Sequence, residues 1–131
     1  MSFNKSSVTK ISSLGGLVSL LNSGHYQEAV SQSYDLVITE TEIKPFITWN
    51  LERYTRNCIA RNEDFELILL CWEKGQKTSI HCHNNQECWV KVISGDFEEC
   101  FYEYDESMNI MNYTNCLLYT NPSPRDRLQT R

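Results

Sequence analysis

Two regimes of hydrophobic patterning divide the chain near residue 50. Before it, apolar side chains recur at helical spacing. Leu14, Leu17, Val18 and Leu21 stand at i, i+3, i+4 and i+7, which makes one stripe of an amphipathic helix. Ser12 or Ser13 is placed to cap this helix over 12–23, and Asn22-Ser23-Gly24 to stop it. His25 then falls at its C-terminal end, where a cationic ring suits the helix dipole. A second helix is predicted over about 26–38, with Tyr26, Ala29, Val30, Ser33 and Val37 on its stripe. Thr39 and Glu42 have the spacing of a capping box for a short third helix, whose length Pro45 limits.

After residue 50 the runs shorten and favour strand. Strands are predicted over 53–60, 65–72, 77–81, 88–93, 97–104 and 108–115. Turn signals separate them: Arg61-Asn62-Glu63-Asp64, Glu73-Lys74-Gly75, Ser94-Gly95-Asp96 as a hairpin, and Asp105-Glu106-Ser107. Leu69, Trp72, Trp89 and Val90 are the expected core of this half. The fold class is therefore α+β: N-terminal helices, then short antiparallel strands of a sandwich or barrel, a group that includes the jelly rolls.

Composition narrows the function. One domain is expected at 131 residues with 40% hydrophobic content. The net charge is -5, and Lys and Arg do not cluster before the C-terminus. That argues against nucleic acid and against an anionic membrane surface as partners. No apolar run approaches the roughly 20 residues of a membrane span. The first residues hold no apolar signal core, so a cytoplasmic location is expected, with the six cysteines as free thiols. Asn112-Tyr113-Thr114 matches a glycosylation acceptor but carries little weight in such a chain.

The chemistry concentrates at His81 and His83. Two imidazoles at i and i+2 of an extended segment share one face and make half of a mononuclear metal site. By itself a His-x-His pair is more often solvated surface; its frame is what singles it out. Gly75 stands six positions before His81, four residues separate His83 from Cys88, and six more precede Gly95. This spacing resembles the first cupin motif, with Cys88 where most cupins carry a Glu ligand. Glu87 is one position short of that place and is read as surface, and Cys82 as packing on the opposite face.

From about Leu51 to Tyr104 the chain resembles the cysteine dioxygenase family of cupin thiol dioxygenases. The resemblance rests on Arg53-Tyr-Thr-Arg-Asn57, Leu69-Leu-Cys-Trp72, Ser79-Ile-His-x-His83, Cys88, and Lys91 through Gly95. It implies that His81 and His83 bind Fe(2+), that Arg56 pairs with the substrate carboxylate, and that Tyr54 supports it. A guanidinium suits that task because its planar fork meets both carboxylate oxygens. The implied reaction takes L-cysteine and O2 to cysteine sulfinic acid, in cysteine and taurine metabolism. The family's eukaryotic members join a Cys at the place of Cys88 to a later Tyr by a thioether bond. A monomer acting on a small-molecule substrate is expected.

The same resemblance implies a third His on a later strand, together with the partner Tyr. The chain has three His in all and none after His83, so a fragment with little activity is expected. The tail has its own reading. Cys116-Leu-Leu-Tyr-Thr and Pro122-Ser-Pro-Arg-Asp are what the end and continuation of a transposase sequencing adaptor encode, with Asn121 the one departure. Residues 1–115 are therefore expected to be the cysteine dioxygenase-like domain, and 116–131 adaptor read-through. Two alternatives stay open: a dioxygenase of another small thiol such as 3-mercaptopropionate, and a non-catalytic cupin binding module.

Overall fold

The computed structural model describes residues 10–81, 86–120 and 128–130. The chain divides into two compact units, Met1–Thr78 and Ser79–Arg131. The first unit opens with helix α1, Leu14–Asn22, in which the Ser13 hydroxyl accepts from the Gly16 N–H at 3.0 Å. Its buried residues are Leu14, Leu17 and Leu20, with Leu21 only half-buried. The buried stripe is thus rotated from the predicted one by a fraction of a turn. α1 ends in a Schellman motif: Gly24 adopts φ +77, its N–H bonds to Leu21 O, and the His25 N–H bonds to Leu20 O.

His25 is corrected by this geometry. It is the N-cap residue of α2, Tyr26–Ser33, and its side chain makes no capping bond. His25 therefore lies between the C-terminal end of one helix dipole and the N-terminal end of the next, so the expected one-sided stabilisation of a cationic ring is not what this position offers. α2 is also shorter than predicted. Leu36, in the segment that follows it, is buried, and Val37 is 77% exposed. The predicted capping box is present in α3, Glu40–Ile43. The Glu42 carboxylate accepts from the Thr39 N–H, the Thr39 hydroxyl and, through its other oxygen, the Leu14 N–H. One side chain so serves the first turns of two helices. Three donors, led by the backbone N–H of Thr39 and then that of Leu14, hold its carboxyl below the usual range. A 3-10 turn, Lys44–Phe46, carries Pro45 and leads out of the helices.

Strands β1, Thr55–Arg61, and β2, Glu66–Cys71, form an antiparallel pair whose register shifts between Cys58 and Ala60. The turn between them is closed by Asn62, whose Oδ1 accepts the Asp64 and Phe65 N–H groups. After β2, Glu73 to Gln76 make a turn with Gly75 at φ +85 and the Gln76 N–H on Glu73 O, the arrangement that demands glycine at its third position. The predicted strand over 77–81 is not formed, and this segment is irregular.

In the second unit β3, Glu87–Trp89, pairs with β6, Leu128–Thr130. β4, Asp96–Asp105, pairs with β5, Ile110–Thr120. The hairpin expected between β3 and β4 at Ser94-Gly95-Asp96 is therefore absent, since each strand takes another partner. Trp89 and Val90 are 38% and 36% exposed and do not belong to the core. Val92 and Tyr119 are buried, and the Tyr119 hydroxyl donates to Glu99. Cys100 and Cys116 are directly opposed on β4 and β5 and joined by a disulfide, against the expectation of free thiols. The architecture is α+β with three two-stranded antiparallel sheets and, among the described residues, no closed barrel. No described helix is long and apolar enough to cross a membrane.

Candidate functional site

The β1–β2 hairpin lies in the first unit and carries the predicted substrate residues. Alternation along β1 sends Arg56 and Cys58 to one face, and Thr55 and Asn57 to the other. Across the strands Arg56 opposes Leu70 and Thr55 opposes Cys71, and just before β1 Tyr54 meets Trp72. The Tyr54 and Trp72 rings stack at 4.2 Å between centroids, 7° from parallel. Such an offset pair restrains both rings beyond what burial alone gives. Arg56 itself is exposed.

The opposite face of β1 is polar and interlocked. The Asn57 Oδ1 accepts from the Thr48 hydroxyl at 2.6 Å. Its Nδ2 donates to Thr55 Oγ1 at 2.9 Å and to Leu69 O at 3.2 Å, with Cys71 Sγ at 3.7 Å. The Thr55 hydroxyl in turn donates to Thr48 O at 2.7 Å. Neither Asn57 nor the stacking of Trp72 was singled out in the sequence. An Asn next to an Arg on a strand, with Thr55 two positions before it, was the available signal.

The histidine segment lies in the second unit. His81 is exposed, and its Nδ1 is 2.8 Å from Ser79 O. A carbonyl oxygen only accepts, so Nδ1 is the donor of this bond. Metal-ligating histidines are commonly oriented by such a second bond, so the donor chemistry of His81 fits a divalent transition metal. His83 and Cys82 lie outside the described residues. Cys88 is half-buried in β3, and Glu87 is exposed as expected. The turn that precedes this segment is anchored from behind: Gln76 Nε2 donates to Asn50 O at 2.6 Å, and the Glu73 N–H donates to Gln76 Oε1 at 2.8 Å.

Another group of ligand-type atoms occurs on β4 and β5. Glu98, Cys100 and Cys116 bring theirs within 4.8 Å of one another. Two of the three are sulfurs of the disulfide, which carry no thiolate charge for a metal. This group is therefore not a rival to the histidine segment.

An α+β chain with an imidazole of ligand type and an exposed strand arginine defines a class with metal and anion chemistry within reach. The comparison with known proteins narrows it. The model of the family "Cysteine dioxygenase type I" matches residues 3–116. The chain belongs to the cysteine dioxygenase type I family. Human cysteine dioxygenase type 1 is 33% identical over 86 residues, covering 64% of this chain and 42% of the relative. The rat enzyme of the same name is 31% identical over the same length. The zebrafish one is 34% identical over 62 residues, 47% of this chain and 31% of the relative. The chain spans about two fifths of the length of the human relative.

Proposed function

We propose that this chain is part of an Fe(2+)-dependent cysteine dioxygenase that converts L-cysteine and O2 to cysteine sulfinic acid, within an incomplete cupin barrel. Family membership carries the reading, and the exposed Arg56 on β1 and the Tyr54–Trp72 stack just before it are consistent with it. On this reading His81 and His83 are the iron ligands. When bound, the metal supplies the Lewis acidity that deprotonates a substrate thiol and a place where O2 and sulfur meet. The chain's own part is recognition. Arg56 pairs with the carboxylate through its guanidinium fork, and Tyr54, held flat by Trp72, limits where that fork points. Ser79 O accepts from His81 Nδ1 and so orients the ring. Cys88 tunes the site from its half-buried place on β3, at the position of the family thioether. The domain proper is residues 1–115, with 116–131 adaptor-derived. Its location is cytoplasmic, and it acts as a monomer.

The test is product formation by the full-length gene product loaded with iron. Sulfinate of L-cysteine, detected by mass with matching O2 uptake, is the expected result. Preference for 3-mercaptopropionate would replace the substrate. The absence of iron-dependent O2 uptake with any small thiol would end the catalytic reading. His81→Ala is expected to abolish iron retention as well as turnover. The 131-residue chain by itself is expected to hold iron weakly and to turn over little cysteine.

A further inference from the structure

We propose that Asn57 is a positioning residue for the Arg56 guanidinium, and so sets how strongly the site demands a carboxylate on its thiol substrate. The inference rests on the reading of Arg56 as the carboxylate clamp. Arg56 is exposed and presents a long, flexible side chain, so the direction of its base decides where the fork spends its time. Both residues that flank it are fixed, and by one network. Thr55 donates to Thr48 O and accepts from Asn57 Nδ2. Asn57 accepts from Thr48 and donates to Leu69 O across the hairpin. Three segments therefore meet at a single carboxamide: the stretch after the 3-10 turn, β1 and β2.

No other side chain of similar size does all of this. Asp keeps the acceptor for Thr48 but has no donors, and would set a carboxylate against the Leu69 carbonyl. Leu keeps the volume and leaves Thr48 and Leu69 O without their bonds. The network lies on the face opposite Arg56, so it does not compete for the guanidinium. Its effect passes through the backbone between Thr55 and Asn57. Bidentate recognition tolerates only about 10–20° of misalignment, so a loosened base weakens the carboxylate contact before it disturbs any chemistry at sulfur.

The experiment compares L-cysteine with cysteamine, which keeps the thiol and the amine and lacks the carboxylate, in the iron-loaded full-length gene product. Asn57→Ala is expected to raise KM for cysteine about five- to tenfold with kcat within about twofold. The KM of cysteamine, or its inhibition constant where it is not turned over, is expected to stay unchanged. Thr48→Val removes the donor to Asn57 Oδ1 from an exposed position and is expected to shift the same ratio, less far. It decides the matter where Asn57→Ala fails to fold. Equal losses on both thiols, or no change on either, would overturn the proposal. Arg56→Lys is the separate control on the clamp. If it leaves the discrimination between the two thiols intact, the reading of Arg56 fails whatever Asn57 does.

Discussion

Leu17 is the natural place to test the packing of the helical segment. It is 6% exposed and lies at the middle of the α1 stripe, between Leu14 and Leu20. Leu17→Ala deletes three carbons from that site. At ~0.8 kcal/mol per buried methylene-sized group, transfer alone removes about 2.4 kcal/mol. The unfilled space adds to this, and Leu→Ala changes of this kind span about 2–5 kcal/mol. Helix propensity offsets a few tenths at most, because Ala and Leu are both strong helix formers. The first unit ends at Thr78, and a folding unit of that size is stable by only about 4–12 kcal/mol. The loss is then a large fraction of the whole and corresponds to a melting point lowered by at least ~10 °C. The assay is the helical circular dichroism signal on heating, with amide exchange at Leu20 and Leu21 as a local report. Val18→Ala, one position away and half-buried, is the matched control and should cost less than half as much. A Leu17→Ala chain melting within 2 or 3 °C of the parent would refute the packing described for α1.

Three further outcomes follow from particular contacts. The Glu42 carboxyl is held below its ordinary value by donors from Thr39 and Leu14, so its contribution is complete above the unfolded value of about 4.3 and is lost as pH falls through the lower folded value; acid titration of the helical signal should be flatter in Glu42→Gln. Opening the Cys100–Cys116 disulfide, which spans a sequence separation of 16, should destabilise the β4–β5 hairpin by about 3 kcal/mol, read as earlier loss of amide protection over 96–120 in denaturant after reduction. Gly75→Ala meets open space but a φ of +85, so it should cost about 1–2 kcal/mol through the backbone alone, whereas Gly75→Asn, which tolerates that region better, should recover part of the lost melting temperature.

What the sequence made legible was local. The Ser13 cap, the Gly24 stop, the Thr39/Glu42 box and the Asn62 turn each depend on residues a few positions apart, and each formed as predicted. What stayed hidden depended on partners distant in the chain. β3 is short enough to read either way, and its partner β6 lies some 40 positions on. The disulfide is the clearest case. A register shift in the β4–β5 pair between Phe101 and Tyr102 brings Cys100 opposite Cys116; carried on from Tyr102↔Tyr113 without it, Cys100 would face Asn115. Nothing in the alternation of β4 announces that extra residue. The exposure of Trp89 has the same origin, since a three-residue strand offers it little to pack against. His83, on which half of the metal reading rests, lies outside the described residues.

The hairpin of β1 and β2 keeps two jobs on two sides of one ribbon. On the proposed reading Arg56 stands on one side as the recognition group, while bracing is done by Thr55 and Asn57 on the other. Mutations on the front can therefore accumulate, and substrate preference can drift among related thiols, while the scaffold that tolerates the drift is left untouched. Such a separation makes this strand pair a favourable starting point for directed evolution toward new mercaptans.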